Sequence, residues 1–177
     1  MLEITIPETE LWDERNETFV MVKQHTLRLE HSLVSISKWE RKWCKSYFSR
    51  KEKTKEEIID YIRCMTITQN VDPYVYHCLT RENEEQIKNY IDAPMTAVTF
   101  PNEKKGGSRD VITSEIIYYW MISLGIPFEC QKWHLNSLIA LIKVCNIKNQ
   151  PPKKMSRREL ASHHRAVNAA RRKGRKK

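Results

Sequence analysis

Apolar and polar positions follow two rhythms along the chain. The first 31 residues alternate. LEITI at 2–6, TFVMVK at 18–23 and HTLRLE at 25–30 place β-branched or apolar residues at every second position. That period predicts two or three short antiparallel strands. Pro7 has no N–H for a ladder, so it ends the first strand or sets it at a sheet edge. Residues 8–17 (ETELWDERNE) are acidic and read as a loop. So few strands cannot stand alone and must pack on other elements.

From Ser32 onward the rhythm becomes helical. Ser32 reads as the N-cap of a helix reaching about residue 45, with Leu33, Ile36, Trp39 or Glu40, and Trp43 on one stripe. Thr54 and Glu57 form a capping box before Ile58, Tyr61, Ile62 and Met65. Asp72-Pro73 reads as a cap and first-turn proline of a short helix, and residues 83–91 as a further helix with Ile87, Tyr90 and Ile91 inside. Residues 92–110 read as an irregular connection in which MTAVTF pairs as a strand or forms an extended segment. Residues 113–150 are the most apolar stretch and read as a helical hairpin. Its first helix starts at Thr113 or Ser114 and stops at Leu124, because Gly125 favours a left-handed turn and Pro127 cannot continue a helix. The second runs from about Glu129 to Lys148 on Leu135, Leu138, Ile139 and Ile142.

These patterns predict a mainly α, α+β fold: a small N-terminal antiparallel hairpin or sheet packed on a helical bundle. One globular domain covers 1–150, with a β leader at 1–31 and a helical body at 32–150. Gln150-Pro151-Pro152 marks a boundary, and 151–177 is a basic tail, helical or disordered, with Ser156 and Glu159 as a capping box. Charge sharpens this division. The tail holds 11 Lys/Arg against one Glu, a net charge of +10, whereas residues 1–150 hold 20 Lys/Arg against 21 Asp/Glu, a net charge of −1. The body is neutral and the basicity is an appended arm. No apolar run reaches the ~18 residues of a membrane span. The first ten residues lack a basic n-region and an apolar h-region, so no signal peptide is expected. Five scattered cysteines fit reduced, buried thiols in a cytoplasmic protein.

Candidate chemistry changes the picture little. Cys130 and His134, with His77-Cys78, are the only residues that hint at a metal site, and they lack the paired spacing zinc sites use. Buried thiols and a hydrogen-bonded His134 are the plainer reading. No phosphate loop, nucleophile elbow or metalloprotease motif occurs. Catalytic, metal and cofactor-binding residues are therefore expected to be none. The tryptophans are more informative. Trp39 and Trp43 share one helical face fringed by Lys38, Arg41, Lys42 and Lys45. Packing of both inside the protein stands beside a reading in which one anchors a partner. Trp120 and Trp133 of the hairpin complete the candidate partner-binding set. In the tail, Arg157, Arg158, Arg165, Arg171, Arg172, Lys173 and Arg175 are candidate contacts to an acidic partner or, weakly and nonspecifically, to nucleic acid. The tail has no aromatic residue for stacking on single strands.

Three stretches carry a resemblance: LRLEHSLVSISKWERKW, IIDYIRCMTITQNVDPYVY and EIIYYWMISLGIPFECQKWHLNSLIALIKVCNIKNQPPKKMS. They resemble small proteins of tailed bacteriophages and of prophages in Gram-positive bacteria. A β leader followed by an S-L-x-x-x-x-x-x-E helix in a mostly helical protein resembles the tail assembly chaperones of long-tailed phages. The resemblance implies a non-catalytic protein of the bacterial host cytoplasm. Such a protein binds and solubilises the tape measure protein, or another tail protein, while the tail assembles. It transfers no catalytic residues. Other expectations are a nonspecific nucleic-acid binder acting through the tail, a structural neck or tail-completion component, and self-association. No membrane partner is expected.

Overall fold

The computed structural model describes residues 1–13, 16–100, 111–149, 161–162 and 164–168. Four strands come first: β1 (Leu2–Ile6), β2 (Thr9–Asp13), β3 (Thr18–Val22) and β4 (His25–Leu29). Helices α1 (Leu33–Trp43) and α2 (Lys55–Met65) follow, then a 3-10 turn at Pro73–His77 and helix α3 (Arg81–Asp92). Helix α4 (Ser114–Ser123), a second 3-10 turn at Phe128–Lys132 and helix α5 (Leu135–Asn149) complete the order. The fold is α+β and mainly helical, as the two rhythms predict. Two compact units result, Met1–Asn146 and Ile147–Lys177. The four strands and helices α1 to α4 belong to the first. The second holds the end of α5 and a helical stretch at 161–162 and 164–168.

The strands form one long hairpin in two segments. β1 pairs antiparallel with β4 and β2 with β3. Leu2 faces Leu29, Ile6 faces His25, Thr9 faces Val22 and Asp13 faces Thr18. The register is therefore continuous across a gap at Pro7-Glu8 and Lys23-Gln24. Pro7 explains the gap, because it cannot donate to the ladder. Residues 9–13 are strand, which corrects the acidic loop expected at 8–17: pairing with the β-branched 18–22 segment outweighs the low strand preference of the acidic residues. The gap also swaps faces. Ile4 and Ile6 point inward on the first arm before it, whereas Asp13 is the buried residue beyond it.

The inner hairpin segment anchors the fold. Ile4, Ile6, Leu27 and Leu29 pack with Leu33, Ile36, Trp39, Ile117, Met121 and Leu138 in one buried cluster. The edge of β4 is covered by the end of α2: Glu30 N–H donates to the Met65 carbonyl at 2.9 Å and Ile67 N–H to the Arg28 carbonyl at 2.8 Å. Leu135 N–H donates to the His31 carbonyl at 2.7 Å, which ties the start of α5 to the same stretch.

Helix starts follow the sequence cues closely. Ser32, Thr54 and Thr80 each cap a helix reciprocally with the residue three places on, Ser35, Glu57 and Asn83. Asp72 caps the turn that begins at Pro73. Gly125 takes φ +66 while Ile126 N–H reaches back to the Met121 carbonyl at 2.9 Å, a left-handed helix closure. Cys44 ends α1 in the same conformation (φ 51) without being glycine. It is exposed, and Cys64 and Cys145 are half-buried, so only Cys78 and Cys130 match the expected buried thiols.

The second hairpin helix begins later than its pattern suggests. Phe128–Lys132 is 3-10, Trp133 is extended, and His134 bridges to Ser32 before α5 starts at Leu135. Backbone pairing with Ser32 claims residues that would otherwise extend the helix, and the apolar period itself starts only at Leu135. Residues 93–100, including MTAVTF, form no strand. The Ser156–Glu159 capping box and residues 101–110 lie outside the described residues.

One buried carboxylate joins distant parts of this core. Glu40 of α1 accepts Tyr47 N–H at 2.8 Å with one oxygen and Ser114 N–H at 2.7 Å with the other. Thr113 makes no side-chain cap, so Glu40 takes that role for α4 from across the fold. Negative charge at a helix N-terminus is favourable, the more so when it is partly buried. Glu40→Ala would strand one buried and one half-buried N–H group. We expect it to lower unfolding free energy by about 2–4 kcal/mol, with Glu40→Gln costing less because it keeps one acceptor. Urea denaturation measures both. Equal stability of Glu40→Ala and wild type would remove the staple.

Candidate functional site

The four candidate tryptophans fall into two environments. Trp39 is buried and its indole N–H donates to the Glu57 carbonyl at 2.8 Å. Helix α2 packs on its face. Trp43 is half-buried and donates to Asp60 at 2.9 Å. Two members of the basic fringe expected around this pair are engaged internally. Lys42 pairs with Asp60, and Lys45 with Glu57 at 2.6 Å. The Lys45 hydrogen bond, with the Thr54 backbone N–H, holds the Glu57 carboxyl below the usual range. Trp39, Trp43 and these lysines thus form the α1–α2 joint. A cleft of about 350 Å³ opens over Trp39, rimmed by Lys45, Lys53, Glu57 and Val111.

Trp120 and Trp133 belong to the hairpin. Trp120 is half-buried on α4, and Trp133 is 49% exposed after the Phe128–Lys132 turn. They lie beside residues that sequence reasoning left out. Helix α4 reads SEIIYYWMIS and is apolar nearly all round, yet it buries only Ser114, Ile117 and Met121. Tyr119 and Ile122 face outward, 66% and 63% exposed. Tyr118, one turn before Ile122, stacks on Phe128 at 6.4 Å and donates to Gln131 at 2.9 Å. Phe128 is itself half exposed, so the outward apolar surface runs from α4 onto the following turn. A signal was available: a surface helix covers about half its circumference with polar residues, and this one does not.

A buried polar network joins the start of α5 to α2 and α3. His31 is buried, its Nδ1 meets the Tyr61 hydroxyl, and its ring lies 5.1 Å from that of His134. Asn136 N–H donates to His134 Nδ1 at 3.3 Å, so Nε2 carries the hydrogen and donates to the Tyr90 carbonyl at 3.0 Å. The Tyr90 hydroxyl donates to Glu30 at 2.7 Å. With both ring nitrogens engaged, His134 is the hydrogen-bonded residue its plainer reading describes. Cys130 is a buried thiol, and among the described residues no group of three His, Cys, Asp or Glu could hold a metal ion. Burial raises the Tyr47 hydroxyl to about 12, and burial aided by His134 lowers His31 to about 4. Burial also lowers His134, against the opposing pull of its bond to the Tyr90 carbonyl.

Of the basic candidates, Arg165 is exposed in the helical stretch at 164–168. Arg157, Arg158, Arg171, Arg172, Lys173 and Arg175 lie outside the described residues. Among the described residues no helix is long and apolar enough to cross a membrane.

The histidine network makes stability depend on pH. The unfolded chain takes up a proton at His31 near pH 6.5, and the folded chain only near pH 4. Acid therefore favours unfolding across that window, and the contribution is complete only above 6.5. Stability should fall by up to about 3 kcal/mol between these limits. His31→Gln, which keeps an acceptor for Tyr61, should flatten that slope in denaturant titrations at stepped pH. An unchanged slope in the variant would assign the acid sensitivity to other groups.

No family model, curated protein or solved structure was found to match the chain.

Proposed function

We propose that this protein is a non-catalytic assembly chaperone of a long-tailed phage. It acts in the bacterial host cytoplasm, where it binds the tape measure protein and keeps it soluble. The observation that carries the reading is the outward face of α4. Tyr119 and Ile122, continued through Tyr118 to Phe128, leave large apolar side chains in water on a folded body. Contiguous apolar surface of this kind usually marks an interaction site. The phage resemblance of the 115–156 stretch, which contains this face, supplies the class of partner.

Physically, an amphipathic helix of the partner lays its apolar side on this face, as in other helix-recognition modes. Aromatic residues give such contacts large area at small entropic cost. The tail, with net charge +10, adds long-range attraction for acidic stretches of the partner. Both contacts are weak enough individually to be shed when the tail tube polymerises.

Co-expression with the tape measure protein tests the proposal. Wild type should raise the partner's soluble fraction several-fold and co-purify with it. Tyr119→Glu with Ile122→Glu alters only exposed positions, so it should leave the unfolding midpoint in place while cutting co-purification at least tenfold. Unchanged partner solubility with wild type sinks the reading. Persistence of the protein in purified particles would instead make it a structural virion component.

A further inference from the structure

Helices α2 and α3 and the Pro73–His77 turn line a groove of about 600 Å³. That volume lies within the range of small-molecule sites. The groove is formed away from α4, so what it holds is a separate question from the assembly reading. Five isoleucines give it an aliphatic lining: Ile58, Ile59 and Ile62 from α2, Ile87 and Ile91 from α3. Ile62 and Ile87 are buried, whereas Ile58 is 48% exposed at the rim. The Tyr47 and Tyr61 rings, 4.3 Å apart, add an aromatic wall.

The charges on this groove are one-sided. Lys53, Lys55 and Lys88 line it, against Glu84 as its one carboxylate among the lining residues. Glu84 and Lys88 stand i, i+4 on α3, where opposite charges compensate each other. Lys53 shares the field of the Glu57 carboxylate with Lys45, so two cations stand against that one carboxylate, and Lys55 adds an exposed third. Lys53 is held in place: its ammonium lies 4.4 Å from the Tyr47 ring centre and donates to the Tyr47 carbonyl at 2.8 Å. Lys55 opens α2, whose N-terminal dipole also favours a negative charge. An aliphatic lining beside a pinned cation matches one ligand chemistry, an alkyl chain with an anionic head.

We propose that this groove binds a single-chain anionic amphiphile, a free fatty acid. Its alkyl chain lies along Ile58, Ile62, Ile87 and Ile91, and its carboxylate meets Lys53 and Lys55. The head adds negative charge where lysines outnumber carboxylates in the lining. The chain covers the part of Ile58 that water now reaches.

Calorimetric titration of the full chain with dodecanoate, below its micellar concentration, tests this. One molecule should bind per chain. Methyl dodecanoate, which keeps the chain and loses the charge, should bind at least tenfold more weakly. Lys55→Met and Ile58→Glu, both at exposed positions, should each weaken dodecanoate at least tenfold with unchanged unfolding midpoints. Absence of saturable binding overturns the proposal. Equal affinity for the acid and its ester, or binding indifferent to Ile58→Glu, overturns it as nonspecific uptake. A chain that ignores dodecanoate but binds phosphatidylglycerol vesicles or an acidic amphipathic peptide also overturns it, since the occupant is then a membrane or a protein.

Discussion

The Glu40 carboxylate is the constraint on which the helical body depends. It sits on α1, buried, and receives two backbone N–H groups that belong to the loop after α1 and to the first turn of α4. Burying a carboxylate is costly unless its oxygens are satisfied. Here each oxygen has a donor whose own partner would otherwise be missing. The position of α4, and therefore the direction in which its apolar circumference faces, follows from where α1 presents that side chain. Glu40 also closes the S-L-x-x-x-x-x-x-E pattern of the first helix.

A similar logic governs the α1–α2 joint. Trp39 and Trp43 lie 6.3 Å apart on one face of α1. Both indole nitrogens are satisfied by α2, through the Glu57 carbonyl and the Asp60 carboxylate. Lys42 and Lys45 are tied to the same two residues. Exposed ion pairs are worth little alone, but here they screen hydrogen bonds beneath them from water. A basic-aromatic cluster that could have faced a partner is thus a seam between two helices. Exposed aromatic side chains lie instead on α4 and the turn after it, and on β2 and β3 at Trp12 and Phe19.

Much of this fold was legible because its local signals agree with its tertiary contacts. Ser32, Thr54 and Asp72 cap where their spacing says they should, and Gly125 closes α4. Misreadings arose where distant partners override local preference. Acidic residues 9–13 become a strand because 18–22 pairs with them, and 129–134 leave the helical pattern because Ser32 captures His134. The candidate site was legible in its region and not in its residues. Periodicity ranks core positions well when one face of a helix is apolar. Helix α4 is apolar on nearly every side, so its pattern could not say which of Ile117, Tyr119, Met121 and Ile122 points inward. The inward choice is fixed by packing on α1, which no local window contains.

The hairpin carries a consequence of a different kind. Its two segments share one register although the arms are interrupted at Pro7-Glu8 and Lys23-Gln24. Equal numbers of residues are skipped on each side, and this equality lets the faces swap without misaligning the ladder. The two arms are therefore coupled in length. Removal of one residue from a single arm inside the gap would shift β2 against β3 or turn the buried strand residues outward. A matched removal from both arms would leave the pairing intact. In a lineage of such chains, the gap should lengthen or shorten only in pairs, so that a change near Pro7 is accompanied by one near Lys23.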